Sequence, residues 1–258
     1  MLSCHLCARS QKAQNQCMQC GSADILYFSA GTKGIEQEVA QLFPNASIAR
    51  FDLDVAAKDT IQRKLHELQT GTYDIIIGTQ VISKGFDLPK LSVVGVLNAD
   101  SGFTLPDYRS EEITFQQLYQ VTGRVGRGHS DSNYIIQTRQ PNHPVIEAAL
   151  QRNWQTFYEY ELNKRQLFRY PPFTHIAVAN ITKARQATAE KSARQLTQIL
   201  ESHSYIQVLG PSPSYHETAH GGYTWQVLIK SASRSALTAA LLAIPTEWVI
   251  DIDPTSVL

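Results

Sequence analysis

Between Ile25 and about Thr138, short apolar runs alternate with amphipathic stretches. Ile25–Ser29, Ser47–Phe51, Asp74–Ile77, Val93–Asn98 and Tyr134–Gln137 read as strands. Gly34–Phe43, Asp59–Gln69 and Glu111–Thr122 space their apolar residues as helices do. That alternation predicts βαβ units and a parallel sheet. A longer helical stretch, Pro144 to about Leu167, runs to a break at Tyr170-Pro171-Pro172.

A second unit follows. His175–Ile181 reads as a strand, Arg185–His203 as a helix and Ile206–Leu209 as a short strand. Tyr223–Lys230 is a strand, Ser233–Ala243 a helix and Trp248–Ile252 a last strand. Strand–helix–strand–strand–helix–strand is the split βαβ, ferredoxin-like α+β order. The boundary between the two units is expected near residues 165–172. The most apolar short runs, Ser92–Leu97 and Leu237–Ile244, are expected to be a buried strand and a core helix. Neither approaches the roughly 20 residues a membrane helix needs. The N-terminus has no apolar signal region, so a cytoplasmic protein with no membrane partner is expected.

Composition adds little. The 258 residues include 23 Lys plus Arg and 23 Asp plus Glu, a net charge of zero. Nucleic acid is not advertised by a basic excess, yet a motor can grip a strand locally.

Candidate chemistry begins with four cysteines in two close pairs, Cys4-x2-Cys7 and Cys17-x2-Cys20-Gly21. Each pair lets one tight turn aim two sulfurs at one ion. Two pairs make a tetrahedral thiolate set suited to Zn²⁺. Incidental or redox-active cysteines are the competing reading. His5 is a turn residue or an additional ligand.

Two further stretches carry chemistry. Gly78-Thr79-Gln80-Val81-Ile82-Ser83-Lys84-Gly85-Phe86-Asp87-Leu88-Pro89 follows a predicted strand directly. The C-terminal end of a parallel strand is where α/β sheets bind ligands, and small polar groups with Lys84 suit phosphates. A solvated loop would look similar. Gln117 to Gly128 sets Arg124 and Arg127 among Gly123, Gly126 and Gly128 at a helix end. Glycines allow close backbone approach, and arginine offers a fixed, always charged fork of donors to a γ-phosphate. A basic helix C-terminus favoured by the helix dipole is the simpler account of the same residues.

Together, in this order and on these elements, the two stretches resemble motifs V and VI of superfamily 2 helicases. With the cysteine pairs ahead of them, the chain resembles the C-terminal portion of the primosomal protein N′ (PriA) family of replication-restart DNA helicases. The resemblance includes Gly31-Thr32, Asp107-Tyr108-Arg109, Pro171-Pro172-Phe173 and Gly210-Pro211. It continues through Trp225-Gln226-Val227-Leu228 and Asp251-Ile252-Asp253-Pro254.

The resemblance implies a partial zinc-binding ribbon over 1–24, a RecA-like second helicase lobe over 25–165 and a C-terminal α/β domain over 166–258. It implies that Arg127, as arginine finger, and Arg124 face ATP bound on the first lobe, with Gln120 sensing the γ-phosphate. Thr79, Gln80 and Lys84 would touch the DNA backbone, while Gly85 and Asp87 couple that grip to the nucleotide. Arg234 would help bind the acidic tail of single-strand-binding protein, although an exposed structural arginine reads the same way. The function implied is ATP-driven 3′-to-5′ DNA unwinding for replication restart, with single-stranded and forked DNA and other primosome proteins as partners. A non-catalytic DNA-binding or docking module that kept the lobe fold is the alternative.

The sequence has no G-x-x-x-x-G-K-[ST] loop and no Asp-Glu dipeptide. ATP and Mg²⁺ are therefore expected only with a first lobe that this sequence lacks, and the chain alone is expected to be inactive. The family carries two zinc ions on four interleaved C-x-x-C pairs, of which two pairs are present here. Phe86 stands where the family has a polar residue, Asn98 where it has Asp, and the His216–Gly222 loop is less basic. Trp225 is either a core aromatic or a base-stacking one. Tyr215 and Tyr223 flank the same glycine-rich loop. Asp251 and Asp253 resemble a carboxylate pair, or else are solvated or capping groups at a strand end.

Overall fold

The computed structural model describes residues 2–3, 10–11, 16, 18, 20–22, 31–51, 66–68, 70–79, 91–123, 133–215 and 222–258. Its contacts divide the chain into two compact units, residues 1–15, 104–111 and 158–258 in one and 16–103 with 112–157 in the other.

Strand β1, Leu2–Ser3, pairs antiparallel with β2, Ser10–Gln11. Helix α1, Thr32–Leu42, starts within two residues of its expected position and precedes β3, Ile48–Phe51. Strand β3 is parallel to β4, Ile75–Gly78, with Ile48 opposite Ile75. Ser47 fastens the start of both strands: its N–H and hydroxyl donate to the Asp74 carboxylate at 2.8 and 2.7 Å. These bonds hold the Asp74 carboxyl below its usual range. Ala49, Phe51 and Leu68 form a small core on this pair, with Tyr73 and Ile76 packed against it.

Strand β5, Val93–Val96, is parallel to β6, Asn133–Ile136. Both parallel pairs confirm the βαβ reading. A 3₁₀ turn, Ala99–Thr104, follows β5, and helix α2, Ser110–Thr122, lies between the two strands in sequence. The expected burial of Ser92–Leu97 is corrected: Val93 is 53% and Leu97 54% exposed. The strand is bonded along one edge to β6, yet its alternate side chains face out. The predicted strand Ile25–Ser29 lies outside the described residues, as does most of Asp59–Gln69, of which 66–68 are helical.

The single helix expected from Pro144 to Leu167 is two helices, α3, Pro144–Leu150, and α4, Trp154–Leu167. Arg152 adopts a left-handed conformation, φ 52°. Its N–H donates to Ala149 O and that of Asn153 to Ala148 O, which closes α3 in a Schellman turn. The Asn153 side chain then accepts from the Thr156 N–H and caps α4. Apolar periodicity continues through the turn, so it could not reveal the break. Asn153 was the available signal.

The C-terminal unit is built on β7, His175–Lys183; α5, Gln186–Glu201; β8, Gln207–Pro213; β9, Tyr223–Ser231; α6, Arg234–Leu241; and β10, Val249–Ile252. The strand order is β10-β7-β9-β8, every neighbour antiparallel. One face of the sheet packs Ala177, Ala179, Ile181, Val227 and Ile229 against Ala193, Leu196 and Leu200 of α5 and Leu237 of α6. Leu237, Ala240, Leu241 and Ile244 supply the core side of the expected segment Leu237–Ile244, while Thr238, Ala239, Leu242 and Ala243 face solvent. On the opposite face Ile176 and Val178 meet Val257, with Tyr108 and Leu228 against them. Strand β8 runs past its expected end. A bulge between Leu209 and Ser212 shifts the register, and Gly210 sits there at φ 106°, where an added Cβ would lie 3.2 Å from the Gln226 carbonyl. The Gly210–Pro211 and Pro171–Pro172 peptides are cis.

Candidate functional site

Of the described parallel strands in the 25–138 stretch, β4 ends where the sequence located chemistry. Thr79 follows Gly78 at the C-terminal end of β4 and is exposed. Gln80, Lys84, Gly85 and Asp87 lie outside the described residues. Helix α2 carries Gln120 on an exposed position, while Phe115 and Leu118 of the same helix are buried. The Phe115 ring stacks on Phe157 with centroids 3.9 Å apart. This packing fixes which face of α2 turns inward and leaves Gln120 on the other.

Helix α2 ends at Thr122, two residues before Arg124 in sequence, and Arg124 and Arg127 lie outside the described residues. Gly123 N–H donates to Tyr119 O at 3.1 Å, and the Thr122 hydroxyl donates to the same carbonyl. The Arg152 guanidinium lies over the Tyr119 ring, 5.1 Å from its centroid. A Cβ on Gly123 would come 3.1 Å from Arg152 Nη2 and 3.2 Å from Tyr119 O. Gly123 thus permits a close approach, and the neighbour is Arg152. Sequence reading missed Arg152, because only its left-handed turn brings it here.

Asp100 was missed too. It follows β5, accepts from the Thr138 hydroxyl and the Arg139 N–H at 2.8 Å each, and so joins the ends of β5 and β6. Burial opposes its ionisation, but these bonds and the Arg139 charge prevail and hold the carboxyl below its usual range.

Of the cysteines, Cys20 is exposed and free of any disulfide. Cys4, Cys7 and Cys17, and His5, lie outside the described residues, although β1 and β2 bracket Cys4 and Cys7 in sequence. Among the described residues no group of three or more His, Cys, Asp or Glu could hold a metal ion. No helix among them is long and apolar enough to cross a membrane.

In the C-terminal unit Asp107-Tyr108-Arg109 grips the last residues of the chain. Asp107 accepts from the Val257 N–H at 2.9 Å and from the Ser256 hydroxyl. The Tyr108 hydroxyl donates to Pro254 O, and Arg109 Nη1 to Thr255 O. Tyr108 stacks nearly parallel on Tyr170 at 4.9 Å. Arg165 covers the Tyr108 ring, and Lys230 Nζ lies 3.3 Å from the Tyr170 centroid. Lys230 is 4% exposed, and burial pushes its ammonium down to about 8. Its ammonium meets that ring and the Phe168 carbonyl, the latter at 3.2 Å.

Trp225 is 4% exposed within the sheet–helix core, which removes base stacking as its role. Tyr223 is 40% exposed. Arg234 pairs with Asp253 at 3.3 Å, both side chains largely in solvent. Asp253, at φ 53°, donates its N–H to Ile176 O beyond the end of β10, while Asp251 is paired within it. The two carboxylates therefore belong to a strand end and its turn.

Comparison with known proteins agrees with these elements. Residues 11–129 match the helicase conserved C-terminal domain and residues 166–255 the primosomal protein N C-terminal domain. The replication restart protein PriA of Bacillus subtilis is 34% identical over 260 residues, which cover 100% of this chain and 32% of that protein. The chain belongs to the PriA family. It matches the C-terminal portion of that family. PriA of Synechocystis is 34% identical over 260 residues, 100% of this chain and 31% of that protein. PriA of Haemophilus influenzae is 33% identical over 244 residues, 93% of this chain and 33% of that protein. The chain spans about a third of the length of these PriA relatives. Its mixed α/β architecture with parallel strand pairs fits a RecA-like lobe over the helicase match.

Proposed function

We propose that this chain forms the second motor lobe and C-terminal domain of an ATP-dependent 3′-to-5′ DNA helicase for replication restart and primosome assembly. The observation that carries the reading is identity of about one residue in three, over its whole length, to replication restart proteins. It is supported by Thr79, exposed just past the C-terminal end of β4, and by a helix that ends at Thr122, two residues before Arg124 in sequence. That whole-length identity favours a motor over a docking module.

In this reading Arg127 and Arg124 reach the γ-phosphate of ATP–Mg²⁺ held by a first lobe, with Gln120 beside them. Thr79, Gln80 and Lys84 hold the strand backbone, while Gly85 and Asp87 link grip to hydrolysis. ATP supplies the driving force; this chain contributes positive charge and the DNA grip, so alone it has no turnover. The C-terminal unit is ferredoxin-like, a reading supported by its element order and all-antiparallel 4-1-3-2 strand order. Residues 1–24 are a partial zinc ribbon. Four thiols in two C-x2-C turns have the donor chemistry of structural zinc, and Cys4, Cys7, Cys17 and Cys20 would hold it. Arg234 contributes to an acidic tail of single-strand-binding protein, exchanging its exposed Asp253 partner for that ligand.

The test separates hydrolysis from grip in the full-length protein. Arg127→Ala is expected to cut DNA-stimulated ATP turnover by about a thousandfold while leaving DNA affinity nearly intact, because a finger acts on transition-state charge. Lys84→Ala is expected to weaken single-strand binding and reduce the salt slope by about one phosphate contact. Equal loss of DNA affinity in both, with turnover at saturating DNA unchanged, would assign Arg127 to a DNA-facing patch and overturn the reading.

A further inference from the structure

The C-terminal unit contains a cavity of about 970 Å³ beside α6 that no part of the motor reading uses. Its lining includes two cations, Arg169 and Lys230, and two aromatic rings, Phe173 and Tyr205, and none of its lining residues is acidic. Lys230 is nine-tenths buried and has no carboxylate partner among the described residues. Its ammonium is held by one carbonyl, that of Phe168, and by the Tyr170 ring face, which engage only part of its three-donor capacity.

The rim is built in an unusual way. Arg169 and Tyr205 are both left-handed, φ 53° and 69°. Non-glycine residues adopt that conformation at a cost, and such sites persist where the surroundings fix them. Here each has its own carbonyl held at 2.8 Å by a buried hydroxyl, Thr174 for Arg169 and Ser231 for Tyr205. The Tyr205 ring is nevertheless 86% exposed, so packing does not explain its position. Two backbone kinks, each fastened by a buried hydroxyl, set a cation and a bare aromatic ring around one cavity that carries a second, buried cation.

We propose that this cavity binds a nucleoside phosphate, with the phosphate between Lys230 and Arg169 and the base against Tyr205 and Phe173. Cations beside exposed aromatic faces are the combination that holds single-stranded nucleic acid, base by stacking and phosphate by charge. The volume is ample for a base and sugar, whereas a lone phosphate would leave the rings unused. The ligand is either a unit of a DNA strand or a free nucleotide. The inference rests on the DNA-motor reading for its relevance, but its chemistry is that of this cavity alone.

The test uses the whole chain, a fluorescein-labelled oligothymidylate followed by anisotropy, and unlabelled thymidine 5′-monophosphate as competitor. Binding is measured in the Lys84→Ala background, which lowers the motor-lobe contribution, and each cavity variant is read as a difference from that background. Tyr205→Ala is expected to weaken binding about tenfold, from a lost stack, and Lys230→Met about as much, with a shallower salt dependence. Tyr205 is in solvent and Met is an unbranched chain only one atom shorter than Lys, so tryptophan fluorescence should report both variants folded. Full competition by the monophosphate marks a free-nucleotide site; competition only by oligonucleotide marks a strand site. Two results overturn the proposal: folded variants that bind like the parent, or displacement by an acidic peptide but not by either nucleotide probe. Either result leaves the motor reading standing, because the Arg127 turnover experiment judges that reading separately.

Discussion

Lys230→Met tests the electrostatics of the C-terminal core directly. Lys230 stands on the central strand β9, 4% exposed, and burial lowers it from 10.5 to about 8. That displacement corresponds to about 3 kcal/mol between the two protonation states. Below pH 8 the lysine is protonated whether the chain is folded or unfolded, so the cost of burying the charge is constant. Between pH 8 and 10.5 the unfolded chain keeps a proton that the folded chain has released. Stability therefore rises with pH in that window, by about 2 kcal/mol from pH 8 to 10. Above pH 10 the slope reverses. Tyr160, pushed up to about 12 by burial and then by the Glu111 charge, keeps its proton in the folded state while unfolded tyrosines lose theirs. Urea unfolding followed by tryptophan fluorescence is a suitable assay, since Trp225 and Trp248 are both buried in this core. The parent should gain stability from pH 8 to 10 relative to Lys230→Met, whose curve lacks this component. The Tyr170 ring and Phe168 carbonyl favour the ammonium, so the absolute level at pH 7 is less telling than the difference in slope. Parallel curves for parent and variant across pH 8–10 would refute the argument that this charge is held in a poorly solvating site.

Metal analysis of the purified chain is expected to give about one zinc per molecule, with thiols shielded from titration. Four freely reactive thiols and no metal would exclude the four-sulfur site. Asp107→Ala should free the last residues, because Asp107 accepts from both Ser256 and Val257. Its expected cost is about 1–3 kcal/mol, with faster amide exchange at Val257, and unchanged exchange there would show that Tyr108 and Arg109 suffice.

The chain pattern alone was enough for the alternating α/β segment, for βαββαβ order in the C-terminal unit, and for a last helix that turns Leu237, Ala240 and Leu241 to the core. Periodicities of two and 3.6 record which side of an element meets the core, and that information is local. The cysteine pairs and the Gly78–Pro89 and Gln120–Arg127 stretches are patterns of spacing along the chain, and the roles proposed for them rest on that spacing, because most of these residues lie outside the described ones. What periodicity could not supply were events that leave it unchanged. The Arg152 turn interrupts a helix whose apolar spacing runs straight through. The Gly210 bulge lets β8 resume pairing two residues later. Residues 104–111 join 158–258 through bonds that span about 146–150 positions, which no local pattern announces. The same holds for Lys230. In sequence it is the last polar residue of a strand, but only the packed sheet, with Tyr170 over its ammonium and a cavity at its side, removes its water and lowers its pKa.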